Sequence, residues 1–240
     1  NLLLLRGNLG RPGAGICPLR GHSNVQGART VGVWEKPTEP FLAALERAVG
    51  FRAPRRPGHT VVEAIAAMER GEIKFFMGLG GNFAVAAPDP VRTHEAMRRV
   101  GLTIHVATKL NRTHLLPGAR SLLLPCLGRT EVDVQSAGRQ AITVEDSMSM
   151  VHASRGLNPP ASSELRSEVA IVAGIGRALF GQTDPVDWDA LTADYDLIRD
   201  LIEAALPEQF ADYNARIRVA GGFRLPVPSA VREWRTQDRR

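Results

Sequence analysis

"IKFFMGLG", residues 73–80, decides the fold. The run is short and apolar, and glycines bound it: Gly71 before, Gly80 and Gly81 after. It reads as a strand buried on both faces, the kind that parallel sheets use. Its flanks agree. "TVVEAIAAMERG" (60–71) has Thr60 as N-cap, Glu63 in the capping-box position and Gly71 at its end, which predicts a helix. "DPVRTHEAMRRVG" (89–101) predicts another, with Asp89 as N-cap and Pro90 at the first helical position. "LTIHVAT" (102–108) and "ARSLLLP" (119–125) are the next strands. Helix, strand, helix, strand, connection, strand is the order of an α/β fold: a parallel-sheet, Rossmann-like αβα domain.

Such sheets bind ligands at the carboxyl ends of their strands. The loops there are "GLGGNFAVAAPD", "ATKLNRTH" and "PCLGRTEVD", all polar or glycine-rich. Upstream, residues 1–33 read as glycine-punctuated loop, and "TEPFLAALERAVG" (38–50) as a helix. A basic, proline-bearing connector, 51–59, follows it. Beyond residue 130 the pattern loosens into short extended pieces and turns. Two helices are expected after that: 162–181, capped by Ser162 or Ser163, and 187–206, acidic at its front.

Of the 240 residues, 44% are hydrophobic but only 5% aromatic, so aliphatic side chains must fill the core. No apolar run approaches a membrane span, and "NLLLL" is too short for a signal peptide. Cys17 and Cys126 lie far apart without metal-ligand spacing, which suggests a reducing, cytoplasmic setting. The net charge is +5, with arginines recurring from Arg216 to Arg240. Pro226, Pro228, Glu233 and Asp238 interrupt them, and no nucleic-acid-binding signature accompanies them, so a solvated linker is the reading. The chain opens at Asn1 on apolar residues, and "FRLPVPSAVREW" (223–234) has no evident packing partner. Both ends read as those of an internal piece of a longer polypeptide.

"GLGGN" (78–82) departs from the dinucleotide pattern, because Pro88 and Asp89 stand where a third glycine would open a helix. Gly80 and Gly81 can admit a phosphate or ribose to the backbone, or simply make a turn that needs positive φ. Spacing favours the turn. His105 lies within a strand and reads as a satisfied core residue, while His59, His94, His114 and His152 read as surface or loop. Cys126 reads as a small buried residue. Arg20, His22, Ser23, Asn24 and Gln26 crowd together in "RGHSNVQG". A turn seldom needs so many side chains able to make paired hydrogen bonds. Arg forks onto carboxylate or phosphate, and Asn and Gln pair with amide-like edges, so a polar, anionic, heterocyclic ligand is expected.

The opening stretch "NLLLLRGNLGRPGAGICPLRGHSNVQG" (1–27) resembles a segment of molybdopterin-dependent oxidoreductases, the formate dehydrogenase alpha subunit-like branch of the dimethyl sulfoxide reductase superfamily. "FFMGLGGNFAVAAPD", "HVATKLNRTHLLPGARSLLLPCLGRTEVD" and "VEDSMSMVHASRG" follow in the family's order, covering residues 1 to about 181. The resemblance implies a bis-molybdopterin guanine dinucleotide cofactor with molybdenum or tungsten, and two-electron chemistry on a small anionic substrate. It gives Arg20 and His22 catalytic positions, with Arg20 orienting the substrate. Gly21, Ser23, Asn24, Gln26 and Gly27 match the cofactor loop around them. Gly80, Gly81 and Asn82, then Thr108, Lys109 and Asn111, match loops that meet a guanine dinucleotide. Glu145, Asp146 and Ser147 complete the set. Formate dehydrogenases carry Gln-Asn where this chain has His22 and Ser23, which leaves the substrate open. The metal ligand and iron–sulfur cysteines are expected upstream of this segment, so none of its residues is a metal ligand and alone it is expected to be inactive. The electron partner is not implied. Three parts follow: 1–58, the end of a first cofactor-binding domain and connector; 59–181, the dinucleotide-binding αβα domain; and 182–240, helices and a basic linker. The competing reading is a non-catalytic α/β nucleotide-binding module.

Overall fold

A computed structural model describes residues 1–17, 19, 21–22, 24–181 and 184–234. The chain forms two compact units, interleaved in sequence. One comprises residues 52–141 and 155–195; the other comprises 1–51, 142–154 and 196–240. Residues 142–154, which the sequence reading places inside 59–181, thus pack with the amino-terminal stretch.

The 52–141/155–195 unit contains the parallel sheet, β1 (Phe75–Leu79), β2 (Leu102–Ala107) and β3 (Arg120–Pro125), in the order β1-β2-β3. Phe75 pairs with Leu102 and Leu102 with Arg120, and the register runs on from there without interruption. The fold class is the expected mixed α/β. β2 is central, and its residues from Thr103 to Ala107 are buried. Helix Val61–Glu69 forms as its caps dictate: the Thr60 hydroxyl accepts from the Glu63 amide, and the Glu63 carboxylate accepts from the Thr60 amide at 2.7 Å. Helix Pro90–Arg98 is capped by Asp89, whose carboxylate accepts from the Arg92 amide. The two helices bury Ile65, Met68, Ala96 and Met97 in one core with Ala84, Val100 and Leu116. Full burial of a Met or Ile side chain contributes about 1.5–3 kcal/mol, so this cluster anchors the sheet.

Past the sheet come a two-stranded hairpin, β4 (Val134–Gln135) and β5 (Gly138–Arg139), and two helices. The helix expected over 162–181 spans only Glu168–Phe180. Its N-cap is Ser167, not Ser162 or Ser163. Before it, residues 163–164 form a turn in which the Leu165 amide donates to the Ser162 carbonyl, and Arg166 makes a parallel bridge with Cys126. The helix expected over 187–206 is two, Trp188–Ala193 and Tyr195–Ala205, with Asp194 in an extended conformation between them. Burial of Tyr195 explains the break. Its amide donates to Gln140 Oε1 at 2.9 Å, and its hydroxyl sits 2.7 Å from Ser167 Oγ and donates to Asp133 at 2.5 Å.

The other unit holds an antiparallel sheet of β6 (Ile142–Glu145), β7 (Met150–Ser154) and β8 (Phe223–Arg224). Residues 1–33 are not all loop: Leu2–Leu5 and Val25–Thr30 are short helices. Helix Glu39–Val49 ends at Gly50 with φ +84°, as its sequence requires. The carboxyl-terminal segment has packing partners after all. Phe223 and Leu225 are buried with Val151, Phe210, Tyr213 and Ile217, and the Arg216 guanidinium stacks 3.6 Å over the Phe223 ring. Among the described residues no helix is long and apolar enough to cross a membrane.

Candidate functional site

The "RGHSNVQG" motif ends as the six-residue helix Val25–Thr30, with Asn24 at its N-cap. Arg20 and Ser23 lie outside the described residues. Gly21 and His22 are exposed. Asn24 and Gln26 converge on Glu145, the last residue of β6. Asn24 Oδ1 accepts from the Glu145 amide at 2.9 Å, and Gln26 Nε2 donates to Glu145 Oε1 at 2.5 Å. Thr30 Oγ1 donates to the other carboxylate oxygen at 2.7 Å. Glu145 is only 5% exposed, and these donors make its burial tolerable. Gly27 is required by close approach. A Cβ there would stand 2.4 Å from Asn24 Oδ1 and 3.0 Å from Glu145 Cβ.

Gln26 Nε2 also donates to Ser149 Oγ at 2.9 Å. Ser149 has φ +61°, a conformation that costs a non-glycine residue about 1–3 kcal/mol. Asp146 offsets this cost by building the turn. Its Oδ1 accepts from the Met148 and Met150 amides at 2.8 and 3.0 Å, and its carbonyl accepts from the Ser149 amide. Ser147 lines a cavity beside this turn. Thr30 and Ser149 escape the sequence reading. Ser149 lies inside "VEDSMSMVHASRG" but drew no role there, and only the pairing of distant segments gives the two residues theirs.

In the unit with the parallel sheet, the loops after β1 and β2 are tied together. The Gly80 amide donates to the Val106 carbonyl, and Asn111 Nδ2 donates to the Gly81 carbonyl at 2.7 Å. Thr113 Oγ1 accepts from the Ala84 amide and donates to Asn82 Oδ1, both at 3.0 Å. The Asn111 amide donates to His114 Nδ1. Gly80 and Gly81 have φ of +66° and +70°, and nothing lies within 4 Å of where a Cβ would be. The turn that needs positive φ is present, and space beside both glycines is open. Thr108 and Lys109 are exposed on the second loop. Glu131, unremarked in the sequence, organises the third loop by accepting from the Gly128 amide at 2.5 Å and the Ala161 amide at 2.6 Å.

His105 is buried on β2, but it is not satisfied as expected: its Nε2 has no hydrogen-bond partner among the described residues. Burial, and then the neighbouring His114, hold its pKa below the ordinary imidazole value. Cys126 is buried as expected. Burial pushes its thiol up to about 11, helped by Glu168 and Glu131. No group of three or more His, Cys, Asp or Glu residues among those described is arranged to hold a metal ion.

Known proteins share this sequence over almost all its length. The chain is similar to proteins named oxidoreductases. It is 55% identical over 237 residues to an uncharacterized oxidoreductase of Mycobacterium tuberculosis, a match covering 98% of this chain and 30% of that protein. It is likewise 55% identical over 236 residues to protein YdeP of Escherichia coli, covering 98% of this chain and 31% of that one. A putative formate dehydrogenase of Bacillus subtilis is 32% identical over 121 residues, 47% of this chain and 12% of its own length. This chain thus spans about three tenths of the length of the relatives that it matches throughout. No family model matches it.

Proposed function

We propose that this chain is the part of a molybdenum- or tungsten-dependent oxidoreductase that cradles a bis-molybdopterin guanine dinucleotide and orients a small anionic substrate, in the manner of formate dehydrogenases. The reading is carried by similarity to proteins named oxidoreductases over nearly the whole chain, together with a more distant likeness to a putative formate dehydrogenase. The residues fit such a group. Gly80 and Gly81 leave backbone open to a phosphate or ribose, and Asn111 fixes that backbone through the Gly81 carbonyl. Lys109 and Thr108 stand exposed on the neighbouring loop to meet charge and hydroxyls. Asn24 and Gln26 act through Glu145 and Ser149, fixing the segment that follows Gly21 and His22. The pterin-held metal, when bound, supplies two-electron redox chemistry. Arg20 would hold the anionic substrate through its two-pronged guanidinium, and the exposed His22 would give or take a proton beside it.

Metal analysis of the full-length protein, produced in a host that makes the cofactor, tests this. Near-stoichiometric molybdenum or tungsten with released pterin is expected. Absence of both would leave a nucleotide-binding module, for which the open Gly80–Gly81 backbone is the favouring observation. In the loaded protein, Arg20→Lys should lower kcat/KM by about tenfold to somewhat over a hundredfold, the worth of a charge-assisted hydrogen bond. Metal content should stay unchanged. Equal loss of metal and turnover would make Arg20 a cofactor contact instead.

A further inference from the structure

We propose that the unit carrying the "RGHSNVQG" motif contains a second functional feature, an oxyanion-binding cavity charged by Arg11 and Arg224. The cavity has a volume of about 640 Å³, is open to one side, and is lined by the Leu9–Ile16 loop, the Ser147–Ser149 turn and the segment Arg224–Ala230. That volume suits a small ligand rather than a single water.

Its charge is one-sided. Arg11 and Arg224 line it, and among the described residues no Asp or Glu does. Among the described residues, neither guanidinium is hydrogen-bonded or ion-paired. Two forked cations facing one cavity without a counter-charge favour an anion with several oxygens. Hydroxyls add to this. Ser149 Oγ accepts from Gln26, so its own proton remains to be donated into the cavity.

One wall is braced. Arg232 Nε donates to the Leu9 carbonyl at 3.2 Å and packs so closely that a Cβ on Gly10 would stand 2.7 Å from Arg232 Cγ. The Leu9–Ile16 loop is thereby held on one side while Gly13 and Gly15 face open space. Of the four non-glycine residues with positive φ among those described, Ser149 lines the cavity and Arg232 braces the loop beside it. Backbone strain concentrates where a binding geometry is held.

The ligand class is a small oxyanion, either the phosphoryl group of a larger molecule or a free carboxylate. The proposal concerns binding alone and stands independently of the redox reading. Isothermal titration of the full-length protein, at fixed ionic strength in an oxyanion-free buffer, tests it with three probes: inorganic phosphate, pyrophosphate and formate, against chloride. Pyrophosphate or phosphate binding above chloride identifies a phosphoryl source; formate binding alone identifies a carboxylate source. Each single substitution, Arg11→Gln or Arg224→Gln, should weaken binding about tenfold or more, as loss of a charge-assisted contact requires. Arg11→Gln/Arg224→Gln together should abolish it, while Arg11→Lys/Arg224→Lys retains a weaker response. Both side chains are exposed and have no partner among the described residues, so folding should survive. Arg70→Gln, a paired surface arginine far along the chain, should leave binding unchanged. No response above chloride for any probe, or an equal response in the double Gln variant, overturns the proposal.

Discussion

Gln26 and Glu145, 119 residues apart in sequence, meet at 2.5 Å, and the same Gln26 nitrogen reaches Ser149 at 2.9 Å. One amide thus fixes both the end of β6 and the strained turn that follows it. The buried Glu145 carboxylate depends on Gln26 and Thr30 for donors. Gln26→Ala should therefore cost about 1.5–3 kcal/mol, the range for a hydrogen bond to a charged group. The measurement is a urea titration, with a lower midpoint at unchanged slope. An unaltered midpoint would show that Gln26 is dispensable to this junction.

Gly27→Ala should destabilise the same junction by about 1–3 kcal/mol, the usual cost of forcing a methyl group into packed space. The added carbon would strike Asn24 Oδ1, which cannot swing away without releasing the Glu145 amide. In an Asn24→Ala background the substitution should cost less, because the obstructing oxygen is gone. A double-mutant cycle reads that difference, and strict additivity would count against the mechanism.

His105 makes stability depend on pH in a defined direction. Its folded pKa lies below the ordinary value of 6.5, so on acidification the unfolded chain takes up a proton before the folded one does. The contribution is complete above about pH 6.5 and is lost as pH falls from there towards the folded pKa. His105→Phe, which suits neighbours such as Phe76, should flatten this part of the profile. Comparing urea midpoints of the two proteins across that window provides the check. Identical profiles would remove His105 from the account.

The two cysteines should differ sharply in reactivity. Cys17 is exposed, while Cys126 is buried with its thiol pushed up to about 11. At pH 8 only about one thousandth of such a thiol is thiolate, and that fraction is also shielded from reagent. Iodoacetamide should therefore modify Cys17 in the folded chain and Cys126 only after denaturation, as peptide mass analysis would show. Early modification of Cys126 would contradict its burial.

The sequence by itself determined whatever rests on neighbouring residues. Thr60 with Glu63, Asp89 with Pro90 and Gly50 after Val49 set helix ends through bonds spanning a few residues, and short apolar runs specified the parallel strands. Where the sequence misled, distant partners were responsible. Ser167 rather than Ser162 starts its helix because Arg166 bridges to Cys126, forty residues away in the chain. The helix at 187–206 breaks because Tyr195 is drawn into contacts with Asp133, Gln140 and Ser167. The candidate site divides in the same way. Gly80 and Gly81 could be read as a turn with open backbone because glycine's freedom is local. That Asn24 and Gln26 act on Glu145, that Ser149 takes a strained φ, and that Arg11 and Arg224 share a cavity could be decided only by the tertiary structure. A side chain's hydrogen-bond partner is set by which segments burial brings together, and no short-range pattern encodes that.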